Sequence, residues 1–213
     1  MVAQPFQRGA KVCAPGKIDK SLGEFWVDSP WEIPSAGHNL SNHERQRFYL
    51  NHGGVGFFDL SYLSGADVES DGRSVVAGNF RNNGQLDVVV RKCGGGPFTI
   101  YENQFPRRHY LDVSLRGRKS NRLGIGARLV AKTNGRQIVR ELFPSNGYFA
   151  QMPSRVHFGL GDDAKVDELT IRWPSGEVQV LRDLAADRHI VVEESKQGAS
   201  AIETIVPGQV FAP

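Results

Sequence analysis

The chain has 213 residues, of which 39% are hydrophobic and 23% charged, and a formal net charge of +3. That length and apolar share suit one large or two small globular domains with a true core, and they exclude general disorder. The near-neutral balance disfavours a dedicated nucleic-acid binder, and no run reaches the roughly 18 apolar residues of a membrane span.

The charge is unevenly distributed. From Arg107 to Arg140 there are ten Lys/Arg and one acid, Asp112, whereas Asp162 to Glu194 holds nine acids and four bases. Twenty-four Gly and eleven Pro imply frequent turns and therefore many short strands.

Taken in chain order, residues 1–46 read as an irregular segment, with Trp26 and Trp31 as docking anchors. Its start lacks the apolar stretch of a secretory signal, which implies a chain that is not exported or one that is a mature or truncated piece. Cys13 and Cys93 lie far apart and outside any CxxC spacing, so one disulfide or two free thiols remain open and a cysteine zinc site does not fit.

From about Arg47 the pattern is of short strands. "RFYL", "FFDLS", "RSVVAGNF", "LDVVVRK" and "FTIYEN" alternate with "NHGG", "RNNG" and "CGGGP" turns, as in the antiparallel meander of a propeller blade over 47–106. The run Leu86 to Val90 reads as a strand buried on both faces. "GNFRNNGQLDVVV", residues 78–90, has the rhythm of a calcium loop, but where such a loop places oxygen-bearing side chains at alternate positions before the glycine the middle one here is Arg81.

A second unit begins near Arg107 and is expected to run to 195 as an antiparallel β-sandwich. "HYLDVSLRG" alternates Leu111, Val113 and Leu115 against Asp112 and Ser114. In "ARLVAKTNGRQIVREL" the Asn134-Gly135 pair suits a two-residue type I′ turn, since both residues tolerate positive φ. That register sets Thr133 opposite Arg136, Ala131 opposite Ile138 and Leu129 opposite Arg140. Ala127, Leu129, Ala131, Ile138 and Leu142 then share a face, with Arg140 the exception. "DELTIRWPSGEVQVL" is a further hairpin turning at Pro174-Ser175-Gly176, and "RHIVVEE" closes the sheet. Residues 196–213 read as a flexible tail, and no amphipathic helix stands out anywhere, so the fold class is all-β.

"LRGRKSNRLGIGARLVAKTNGRQIVREL", "GYFAQMPSRVHFGLGD" and "VDELTIRWPSGEVQVL" resemble, in that order and spacing, the ASPIC/UnbV domain across roughly residues 108–182. The segment before it is similar to the FG-GAP (VCBS-type) blade that precedes this domain in the family. Larger relatives are exported proteins with several blades, so the resemblance implies an extracellular or periplasmic setting. It also implies that a lone blade packs against further propeller blades, another chain or its neighbour.

In blades of this family the loop resembles D-x-D-x-D-G-x-x-D around one Ca²⁺. Carried over, the ligand positions are Asn79, Arg81, Asn83 and Asp87, with Gly84 at the turn. Three carboxylates are missing and a fixed cation takes the second position, so the loop is expected to hold no Ca²⁺, the Arg81 guanidinium donating to Asp87 and the Asn carbonyls instead. The plainer alternative leaves Arg81 in solvent.

Two other groups of residues stand out. Arg116, Arg118, Lys119 and Arg122 in "RGRKSNR" form a basic loop suited to a sulfated or uronic glycan, phosphate or nucleic acid, or else to the acids of its own sheets. The histidines are scattered, and His157 reads as a hydrogen-bonded structural residue. No catalytic set emerges, and "GIGAR" leads into a strand where a phosphate cradle would need a helix. The favoured expectation is therefore a non-catalytic binding or interaction module for a protein or anionic glycan surface, without cofactor. The alternatives are an enzyme or accessory protein of a biosynthetic pathway, or a truncated remnant.

Overall fold

Short apolar alternations separated by Gly, Asn and Pro turns leave only strands to satisfy the backbone, and strands are what forms. The computed structural model describes Ser21 and residues 45–68, 72–92, 98–145, 147–148, 150–195 and 202–205. Cys13, Cys93, Trp26, Trp31, His38, His43 and the "CGGGP" turn lie outside the described residues.

Two compact units are present, residues 1–73 with 90–99, and residues 74–89 with 100–213. In the first, β1 (Tyr49–Asn51) and β2 (Phe57–Asp59) form an antiparallel pair around the expected glycine turn. Ser61, 1% exposed, ties it together by accepting from Phe48 N at 2.8 Å while its own N–H donates to Asp59. A separate three-stranded sheet, not confined to the first unit, runs in the order β3 (Gly72–Gly78), β4 (Asp87–Lys92), β5 (Thr99–Tyr101). Val88, Val89 and Val90 in β4 are only half-buried, where burial on both faces was expected. Three short strands with Val75 and Ile100 exposed do not give β4 a second covered face.

The second unit contains two four-stranded sheets. One has the order β11 (Val178–Ala185), β10 (Lys165–Arg172), β7 (Arg128–Thr133), β8 (Arg136–Glu141), and the other β13 (Ile202–Ile205), β12 (Arg188–Glu193), β6 (His109–Arg116), β9 (Val156–Gly161). The β7–β8 hairpin has the predicted register, with Thr133 opposite Arg136 and Leu129 opposite Arg140. Asn134 and Gly135 both take positive φ, 43° and 75°. Within the expected tail, β13 pairs antiparallel with β12.

One pairing departs from the antiparallel expectation: β12 runs parallel to β6, with Ile190 beside Val113. A parallel pair needs a long crossover. Here the whole β7–β8–β10–β11 sheet and β9 are built between the two strands.

Both sheets contribute to one apolar cluster. Leu111 and Val113 of β6, Leu129 and Ala131 of β7, Phe158 of β9, Leu169 and Ile171 of β10 and Ile190 of β12 are all essentially inaccessible, with Trp173 the largest member. Ile138 packs at its margin, and Arg140 on edge strand β8 is exposed, so it costs the core nothing.

The loop after β6 is held by a carboxylate rather than by apolar contact. Glu194, at the end of β12, accepts on Oε2 from the backbone N–H groups of Arg118, Lys119 and Ser120 at 2.7–2.8 Å. Its Oε1 accepts from the hydroxyls of Ser120 and Ser175. Burial alone would raise its pKa, but the Ser175 hydroxyl and the Ser120 and Arg118 amides prevail and hold it at about 2. The contribution is therefore present above the unfolded value of about 4.5 and is lost as pH falls from there towards 2. Glu194→Gln, which keeps the shape and removes the charge, is expected to cost about 2 kcal/mol in denaturant unfolding at pH 7, with a smaller difference at pH 2–3. An unchanged midpoint at pH 7 would contradict this role.

Candidate functional site

Strand alternation places Asp112 on the face of β6 opposite the core, where solvent is expected. Instead it is 1% exposed. Its strand neighbours explain how a buried charge is tolerated. His157 of β9 and His189 of β12 lie on either side of Asp112 in register. His157 Nδ1 is 2.8 Å from Oδ1, Asn79 Nδ2 donates to Oδ2 at 3.0 Å, and Arg155 Nη1 lies 3.6 Å from Oδ2. Burial pushes the Asp112 pKa up, but the His157 and Asn79 hydrogen bonds outweigh it and the net shift is downward. Tyr110 stacks on His157 with ring centres 5.8 Å apart.

The turn that carries Asn79 is shaped by its own side chains. Asn79 Oδ1 accepts from Asn83 N and Gly84 N at 2.9 and 3.1 Å, and Asn83 Oδ1 accepts from Gln85 N at 3.0 Å. Gly84, at φ 85°, lies so close to Tyr110 that a Cβ would fall 2.3 Å from the ring, so the position admits only glycine. Arg81 grips Asp87 through Nε and Nη2 at 2.9 and 2.8 Å, reaches Glu102 through Nη1 and donates to the Asn103 carbonyl at 3.2 Å. The Arg81 hydrogen bond, which outweighs the cost of burial, holds the Asp87 pKa below the usual carboxylate range.

The residues at the calcium positions do not fit that ion. Both Asp87 oxygens face the guanidinium, and the Asn79 and Asn83 carbonyl oxygens are engaged by backbone N–H groups. The expectation that Arg81 bonds Asp87 is met; its other acceptors are Glu102 and the Asn103 main chain, not Asn79 or Asn83.

The basic loop is exposed but engaged within its own unit. Arg118 pairs with Glu193 and Lys119 with Glu177, both at 2.7 Å, and its backbone amides are taken by Glu194. The Arg116 carbonyl accepts from Glu194 N at 2.8 Å, and Arg122 is exposed. Of the two partners the sequence left open for these cations, an outside anion or the acids of the same sheets, Arg118 and Lys119 take the second.

Beside Asp112 a cleft of about 500 Å³ opens within the second unit. Asn79, Asp112, Arg155 and His157 form its polar wall, Phe80 and Phe143 flank it at 48% and 60% exposure, and Arg140 and Glu141 of β8 also line it. Among the described residues lining it there is no Ser, Thr, Cys or Lys, and no three His, Cys, Asp or Glu side chains converge as metal ligands. Asp112 and Arg155 escaped sequence reasoning for different reasons. Asp112 looked like an ordinary polar position of a half-buried strand, and Arg155 sits in an irregular stretch with no period. The lone acid within a decidedly basic segment was the one available signal.

Residues 117–199 match the protein family described as ASPIC and UnbV, so the chain contains that domain. No curated protein matches the chain.

Two outcomes follow from the site's charges. Burial and the nearby Arg155 cation lower the His189 pKa to about 4, Asp112 offsetting part of the effect, while its Nε2 lies 2.8 Å from Ser114 Oγ. Between about pH 6.5 and 4 the unfolded chain binds a proton that folded His189 refuses, so stability falls as pH drops through that window. His189→Gln is expected to flatten that part of the stability profile; an identical slope in the variant would contradict the assignment. Calorimetric titration with Ca²⁺ to about 1 mM is expected to give no binding heat. Heat that Asp87→Ala abolishes would show instead that the loop opens for the ion.

Proposed function

Starting from the ASPIC/UnbV domain at residues 117–199, we infer that this chain is a non-catalytic binding module that engages a protein or glycan surface. The observation that carries the reading is the cleft beside Asp112. Its polar wall is fixed before any ligand arrives, because Asp112 is held from three sides and Asn79 is locked by its own turn. Prearranged polar groups beneath exposed aromatic rings suit recognition, since little ordering cost remains to be met on binding.

The family resemblance adds two elements to this reading. Residues 47–106 are read as an FG-GAP-like blade, followed in the chain by a sandwich-type domain, with Arg81 in the place of the calcium that such blades carry. The setting is extracellular or periplasmic. Among the described residues no helix is long and apolar enough to cross a membrane.

The reading is tested by presenting the intact chain to arrays of glycans and of extracellular proteins. Saturable capture that leaves the ligand's mass unchanged, and that weakens about tenfold or more with Phe80→Ala/Phe143→Ala, is expected. Capture by nothing on either array, or a cleaved or modified ligand, would overturn it.

A further inference from the structure

Arg155 is the residue in the cleft whose chemistry is unfinished. Its side chain is only 29% exposed, yet among the described residues it makes no side-chain hydrogen bond, and its one ion contact is the 3.6 Å approach to Asp112. A guanidinium carries five N–H donors, and those of half-buried Arg155 are open to an acceptor entering the cleft. Asp112 takes His157 and Asn79 at hydrogen-bond distance but meets Arg155 only at 3.6 Å. The guanidinium and His157, whose Nε2 has no partner among the described residues, both line the cleft, with the Arg140 cation also on its lining. Glu141 is the one acid there besides Asp112, and its cross-strand neighbour is Arg128.

We propose that the cleft binds an acidic sugar, with the carboxylate of a uronic acid residue accepting hydrogen bonds from Arg155. The inference rests on the binding-module reading and names its ligand class. A carboxylate matches the guanidinium fork in two parallel hydrogen bonds. The sugar, rather than a peptide, follows from the rest of the lining. About 500 Å³ holds one or two rings rather than an extended polypeptide. Phe80 and Phe143 present exposed aromatic faces to it, against which the C–H face of a pyranose can lie. A bare inorganic anion would leave both rings uncovered.

The test is calorimetric titration of the intact chain with a trimer of galacturonic acid, the same trimer with its carboxylates reduced to alcohols, and triglutamate. The uronate trimer is expected to bind at least tenfold more tightly than the reduced trimer or the peptide, with the advantage shrinking at high salt. Arg155→Gln is expected to erase the difference between the two sugars, and Phe143→Ala, an exposed position, to weaken both sugars alike. Equal binding of the two sugars, or tighter binding of triglutamate, overturns the inference on the wild-type protein alone, whether or not Arg155→Gln folds. In either case capture on the arrays would leave the binding-module reading standing. No binding of any of the three overturns it as well, and capture by nothing on the arrays would then bring down the wider reading too.

Discussion

The second unit is organised around one buried carboxylate. Asp112 sits in β6, between the strands that carry His157 and His189, and on the side away from the apolar core. A charge in that position is tolerable only if fully matched, because breaking one partner of a buried ion pair leaves an uncompensated charge. The match is drawn from three separate pieces of chain: Asn79 from the turn after β3, Arg155 from the approach to β9, and His157 from β9 itself. Those pieces are thereby set in register, and the cleft is the space left between them. Its geometry is thus a by-product of satisfying Asp112, which is why a recognition surface and a structural necessity share the same residues.

The Arg81–Asp87 clasp has the same logic one step further out. A turn lined with acceptor oxygens must present them to some positive group. Here a tethered guanidinium and backbone N–H groups fill that role, so the turn keeps its shape and delivers Asn79 to Asp112. The local sequence left two places for Arg81, solvent or the Asp87 carboxylate, and the structure has the second.

Much of the architecture was legible because period and turn chemistry are local. Leu111, Val113, Leu115 and Leu129 are core residues for the reason their spacing suggested, and Asn134-Gly135 set the register of its hairpin residue by residue. What was not legible depends on pairings between distant segments. Nothing within β12 reveals that it runs parallel to β6, and nothing near Asp112 announces that a turn some thirty residues earlier covers it. The basic loop left two partners open for a related cause. Its cations are conspicuous in sequence, but Glu177, Glu193 and Glu194, which neutralise or fasten the segment, lie far downstream. Arg155, by contrast, was inconspicuous in sequence and stands out only once its surroundings are seen.

The parallel β6–β12 pairing also shapes how the protein comes into being. During synthesis β6 leaves the ribosome long before β12, so for the whole interval one edge of that strand waits with its N–H and C=O groups unclaimed. The β7–β8 and β10–β11 hairpins can close as they emerge, whereas the sheet that holds Asp112 cannot be completed until β12 and β13 arrive. A nascent chain halted before residue 188 would carry a finished half beside an open one, and that exposed edge is where a chaperone, or a second stalled copy, would take hold.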